Sequence, residues 1–170
     1  MMIVSAVAIA LLLRIYVIEP RYVPTPSMAP TIQVNDRLYI EKLTPRFGRI
    51  EPGMIVTFYA PEVTGRNDYL VKRLIGIGGD VVSITNGQLF VNGQAVYEPY
   101  LNEPMRSDFP EFVVPEGELF LLGDNRNYSQ DSRTWGNIAE SDIRGQALFI
   151  YFPFSNAGSV WGQRLEFLSD

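Results

Sequence analysis

The chain has neither cysteine nor histidine among its 170 residues. Without cysteine there are no disulfides, thiol nucleophiles or cysteine-based zinc sites, and the redox compartment stays open. Without histidine the commonest general base is gone, so a Ser-His-Asp relay is impossible. Lysine is scarce too: Lys42 and Lys72 stand against twelve arginines. Arginine does not deprotonate at working pH, so any hydrolytic base here is a carboxylate or one of these two lysines. No acidic run has the spacing of a calcium loop, and neither a metal nor another cofactor is expected. The net charge of −5 argues against nucleic acid as the main partner.

What is present describes one domain, or one domain plus an anchor. Hydrophobic residues make up 46% of the chain, enough for a real core, and 12 prolines with 14 glycines suggest many short strands and turns. Residues 1–18, MMIVSAVAIALLLRIYVI, carry one charge, Arg14. As a helix they reach ~27 Å, near the ~30 Å of a bilayer core, with Arg14 placed to snorkel. A cleavable signal peptide lacks its usual basic start here, and a buried core helix is the remaining alternative. The expectation is a single membrane anchor ended by Glu19-Pro20, with further residues upstream of it.

Beyond Pro20 the pattern is β. Residues 37–43 alternate, 54–60 and 69–77 are short apolar runs, and 117–124 and 145–154 read as further strands. Asn86-Gly87 and Asn92-Gly93 sit between alternating segments, a strong hairpin signal. Residues 97–112, rich in proline and acid, read as an irregular excursion. GIGGD (76–80) precedes a strand pattern rather than a helix, which speaks against a phosphate loop.

Two places carry candidate chemistry. In PTPSMAPT (24–31), three prolines fix the backbone around one serine, Ser27. The stretch is either a stiff linker or a device that holds a hydroxyl at a chosen angle. In YLVKRLIGI (69–77), period-two alternation puts Lys72 on one face with Leu70 and Leu74, and Arg73 on the other with Val71 and Ile75. Either this is a sheet edge with two snorkelling cations, or one cation is buried. Burial disfavours an ammonium and lowers its pKa by up to ~3–5 units, so a buried Lys72 could accept a proton from serine. Lys42, among polar neighbours, reads as a solvated surface charge. After an apolar strand, GDNRNYSQDSRTWG (123–136) clusters Asp124, Arg126, Ser129, Asp131, Ser132 and Arg133, as a charged loop or as groups that orient the lysine.

Four stretches in this order resemble the bacterial type I signal peptidases: the apolar segment ending in EPRYVP, then PTPSMAPT, YLVKRLIGIGGD and GDNRNYSQDSRTWG. The resemblance covers most of residues 19–136. It implies a membrane-bound serine endopeptidase that removes signal peptides from exported preproteins, with Ser27 as nucleophile and Lys72 as general base. It further implies that Thr25 shares oxyanion stabilisation with the Ser27 N–H, that Ser129 holds the lysine, and that Asp131 supports that region. Asp124, Arg126 and Arg133 match structural ion pairs. The implied fold is mostly β, an antiparallel catalytic domain with barrel-like sheets behind one N-terminal transmembrane helix. Residues 1–18 would be the anchor and 19–170 an extracytoplasmic protease domain, with 80–118 a small accessory hairpin region. Implied partners are preproteins with small residues before the cut, and membrane lipid. Gly78, Met54 and Pro26 depart from the usual pattern of proline, aspartate, and glycine or acid. Two other functions compete: a membrane-tethered β module that binds peptides without catalysis, and a self-cleaving repressor-type Ser/Lys protease.

Overall fold

The computed structural model describes residues 2–162 and 164–168; residue 1 of the expected anchor and residues 163, 169 and 170 lie outside them. Helix α1 (Met2–Tyr16) occupies most of the apolar segment. Strand β1 (Ile18–Tyr22) then pairs antiparallel with β2 (Arg37–Glu41), Ile18 opposite Glu41. This pairing, together with the bond from the Lys42 N–H to the Val17 carbonyl at 2.9 Å, draws the end of the apolar run into the sheet. The helix therefore stops at 15 residues, about 22 Å. Among the described residues no helix is long and apolar enough by itself to cross a membrane, and the helix expected over residues 1–18 is corrected to the shorter α1. Nor is α1 a core helix: Ile3, Val4, Leu11, Leu12 and Ile15 are all exposed.

After a helical turn, α2 (Thr44–Phe47), come β3 (Ile55–Tyr59) and the long β4 (Tyr69–Ile77). Strands β5 (Val81–Thr85), β6 (Gln88–Val91) and β7 (Gln94–Tyr97) follow as a meander. Its two tight turns are the Asn-Gly pairs, with φ of 51° and 79° at Asn86-Gly87 and 53° and 78° at Asn92-Gly93, the left-handed values such turns require. Strand β8 (Phe109–Val113) closes the excursion; residues 97–112 were expected to be irregular, yet their end pairs with β5. Next come β9 (Glu118–Leu122), the helical turn α3 (Ser132–Trp135), β10 (Ile138–Ala139), β11 (Ile143–Phe152), β12 (Gly158–Ser159) and β13 (Glu166–Phe167).

All pairings are antiparallel, in two sheets. The larger runs β1-β2-β11-β3-β4-β9-β10, with β12 on β11; the smaller runs β13-β7-β6-β5-β8. Each sheet has two free ends, so neither closes on itself. The barrel-like description is thus replaced by two open sheets, because among the described residues β1 and β10 have no pairing that would join them.

Strand β4 lies between β3 and β9, which disposes of the sheet-edge reading of its two cations. Its two faces feed separate cores. Leu70 and Leu74 join Val56, Phe58, Leu119 and Leu121 beneath the larger sheet. Ile75 joins Phe120, Leu122 and the inner side chains of the smaller sheet, Val82, Ile84 and Leu89. A third cluster packs Met28 and Ile32 against Leu38, Ile40, Ile55 and Ile150, fixing the segment that carries Ser27 to the larger sheet. Burying side chains of this size contributes roughly 1.5–3 kcal/mol each, so these anchors hold that segment firmly.

Candidate active site

The prolines around Ser27 have a definite structural use. Residues Pro26–Met28 form one turn of 3-10 helix, with Thr25 at its N-cap and Pro26 at its first position, where a missing N–H costs nothing. The Ser27 N–H, in that first turn, has no acceptor within the helix. Met28, 1% exposed, points into the core, so Ser27 is turned outward. From the other side Asn125 clamps the turn: its N–H donates to the Ser27 carbonyl and its Nδ2 to the Pro26 carbonyl, both at 3.1 Å.

Lys72 reaches this turn from β4. Its Nζ lies 2.7 Å from Ser27 Oγ and 3.2 Å from the Val71 carbonyl. The side chain sits on the Leu70–Leu74 face, and the residue is 2% exposed. Burial, chiefly, lowers its pKa to about 8; the Asp131 and Asp124 carboxylates oppose that shift and the Arg66 guanidinium assists it. As an ammonium, Nζ donates to Oγ; once neutral it can accept the hydroxyl proton across the same short distance.

Thr25 Oγ1 stands 3.3 Å from Ser27 Oγ. Asp131 is further off. It caps α3, pairs with Arg133 (2.8 Å) and accepts the Gly123 N–H at 3.1 Å. The Ser129 hydroxyl is buried and makes no hydrogen bond to any described residue, Lys72 included. It packs against Gly123, where an added Cβ would collide with both the Ser129 hydroxyl and the Ser27 carbonyl. A glycine is needed there because three chain segments meet.

Beside the two side chains runs a groove of about 180 Å³, lined by Thr25, Ser27, Leu70, Lys72, Arg66 and Trp135 among others. Arg66 and Trp135 had no signal in the sequence: one comes from the loop before β4, the other from α3, and no spacing brings them to Ser27. Arg73, by contrast, takes no part in the groove. Its guanidinium, 0% exposed, forks onto Asp124 at 2.7 and 2.6 Å and donates to the Gly53 carbonyl at 3.0 Å. Arg126 pairs with Glu98 rather than Asp124, at 2.6 and 3.0 Å. Lys42 is not the solvated charge expected. It is mostly covered, donating to Glu19 and to the Arg14 carbonyl, each at 3.2 Å.

The site thus sets a buried lysine within hydrogen-bond reach of a serine on a proline-braced turn. The family model described as signal peptidase, peptidase S26, matches residues 1–152. The chain belongs to the signal peptidase family, peptidase S26. Its activity is that of signal peptidase I, a serine peptidase that removes signal peptides from secreted preproteins. A probable signal peptidase I-1 of Synechocystis is 41% identical over 163 residues, spanning 93% of this chain and 81% of that protein. Signal peptidase I P of Bacillus subtilis subsp. natto is 39% identical over 165 residues, spanning 91% and 87% respectively. The solved signal peptidase I of Enterococcus faecalis is 31% identical with a TM-score of 0.52, covering 58% of this chain and 96% of that one. The alternatives of an idle peptide-binding module and a repressor-type protease give way to this membership.

Proposed function

We propose that Ser27 is the nucleophile of this signal peptidase and Lys72 its general base. The observation that carries the reading is the 2.7 Å separation of Nζ and Oγ, with Nζ buried and its pKa lowered to about 8. Neutral Lys72 takes the hydroxyl proton as Oγ bonds to the scissile carbonyl carbon. The oxygen that becomes negative meets the Ser27 N–H and the Thr25 hydroxyl. Collapse breaks the C–N bond, and the Lys72 ammonium returns its proton to the departing amine. Water, deprotonated by Lys72 in turn, then hydrolyses the ester on Ser27. Ser129 supplies the lysine's other hydrogen-bond partner when substrate fills the groove, which gives its unpaired buried hydroxyl a use. Asp131 keeps the 123–136 loop in place for it.

The groove of about 180 Å³, bordered by Leu70, Trp135 and Thr25 among others, receives an extended peptide with small residues at the first and third positions before the cut. Nucleic acid has no part in this reading. Residues 19–170 act as an extracytoplasmic protease domain, with 80–118 as its accessory region. Residues 1–18 anchor it as a single pass. At about 22 Å, α1 fits the ~30 Å core only with local thinning, helped by Arg14 at its end. Lys42 and Arg46 hold that end to the domain through the Arg14 and Tyr16 carbonyls, each at 3.2 Å.

The test is cleavage of a preprotein in detergent by the full chain and by Ser27→Ala, Lys72→Ala and Lys72→Arg. All three variants are expected to be folded and inactive. Turnover in Lys72→Arg removes lysine from the mechanism, because arginine cannot serve as a base.

A further inference from the structure

Between β7 and β8 the chain leaves the smaller sheet and runs across the back of the site, and this strap carries Glu98 and Tyr100. Its course is irregular, so side chains rather than strand pairing hold it. Glu98 is gripped by the Arg126 fork, and the Tyr100 hydroxyl donates to the same carboxylate at 2.7 Å. Asn127 fastens the far end, donating to the Pro104 carbonyl at 3.0 Å and accepting from the Arg106 N–H at 2.9 Å. What these latches deliver is an aromatic ring, 3.9 Å from the Arg73 guanidinium carbon to the Tyr100 centroid.

Arg73 spends its in-plane donors on Asp124 and Gly53, and the ring covers one face of its plane. Asp124 in turn accepts the Thr31 hydroxyl at 2.5 Å, four residues after Ser27. The next residue, Asn125, holds the Ser27 and Pro26 carbonyls. An unbroken run of contacts therefore joins the strap to both ends of the nucleophile's turn. We propose that Tyr100 is a positioning residue for the reaction: by covering Arg73 it keeps the Arg73–Asp124 pair dry and rigid, and thereby fixes the Ser27 turn against Lys72. The strap between two strands of the smaller sheet thereby acts on the site through this ring.

This rests on the Ser27–Lys72 reading, and the two can fail separately. Preprotein cleavage is measured with the full chain in detergent for Tyr100→Leu, Tyr100→Phe and Thr31→Val, beside Ser27→Ala. A loosened turn misplaces a reacting atom by a fraction of an ångström. Tyr100→Leu should then lose roughly 10–100-fold in kcat with KM changed by less than about 2-fold. Tyr100→Phe keeps the ring over Arg73 and should stay within about 3-fold of the wild type. Should Tyr100→Leu fail to fold, Thr31→Val tests the far end of the same run, and a loss of several-fold in kcat alone is expected. Wild-type kcat in folded Tyr100→Leu, with only a lowered Tm, overturns the proposal. So does equal loss in the Leu and Phe variants, which would assign the effect to the hydroxyl, and so does an unchanged Thr31→Val. Cleavage by Ser27→Ala would instead defeat the dyad itself, whatever Tyr100 does.

Discussion

Lys72 and Arg73 are neighbours on one strand and are almost equally buried, yet the two faces of β4 treat them oppositely. Arg73 meets a carboxylate in ideal fork geometry, and its pKa is raised although burial alone would lower it. Lys72 meets a hydroxyl, a carbonyl and leucines, and its pKa falls to about 8. Burial therefore does not decide the state of a cation; the partner supplied with the burial does. Next to each other, a permanently charged clamp and a dischargeable base divide structure from chemistry.

The sharpest way to break that division is to exchange the two kinds of cation. Lys72→Arg, inactive by the mechanism above, should lose at least about 10⁴-fold in kcat, the scale on which a catalytic nucleophile or base is missed. On the other face, Asp124→Ala leaves a buried guanidinium without its carboxylate. Urea unfolding should show a loss of about 3–5 kcal/mol, whereas Lys72→Ala should show no comparable loss. Equal destabilisation in the two would mean that both cations are structural.

A third measurement uses the sign of the Lys72 shift. The folded pKa is below the ordinary 10.5, so between about 8 and 10.5 the unfolded chain binds the extra proton and wild-type stability rises with pH. Below about 8 the full penalty of the buried ammonium is present. Lys72→Met should therefore be more stable than the wild type by on the order of 3 kcal/mol at pH 7, and the gap should close by pH 10.5. A gap that is constant with pH would contradict a titrating, desolvated lysine.

The smallest effects lie in the pH profile. The acid limb of kcat/KM should fall near 8, where Lys72 becomes neutral. Leu70→Ser should admit water and move the limb upward. Arg73→Gln, if folded, should move it little, since that charge is neutralised by Asp124 and faces away. Arg66→Gln should also raise the limb slightly, because Arg66 is a like charge beside Lys72 that assists its discharge. A limb that follows Arg66 and ignores Leu70 would make charge, not desolvation, the leading cause.

Legibility in the sequence followed the range of the interaction. The Asn-Gly hairpins and the alternation of β4 depend on a few adjacent residues, and both are present where the pattern put them. The excursion 97–112 was harder: its last residues form β8 because β5 offers an edge, and Phe109 and Phe112 pack on Phe120 from a distant strand. Lys42 looked solvated because nothing local shows that the end of α1 lies over it. Ser27 and Lys72 stood out through local chemistry, one braced by prolines and one framed by leucines. Arg66, Trp135 and the strap residues Glu98 and Tyr100 did not, since they come from loops and turns whose meeting no local pattern encodes.

Composition and local pattern, then, determined that any base here is not histidine, that β structure follows Pro20, and that Lys72 shares a face with Leu70 and Leu74. These are properties of residue types and of a two-residue repeat, and they survive any packing. Tertiary structure alone decided that β4 is an interior strand, that the apolar helix ends after 15 residues, and that Lys72 rather than Lys42 meets Ser27. Those outcomes depend on which strand edges find each other and on how much water their meeting excludes, and no short stretch of chain contains either quantity.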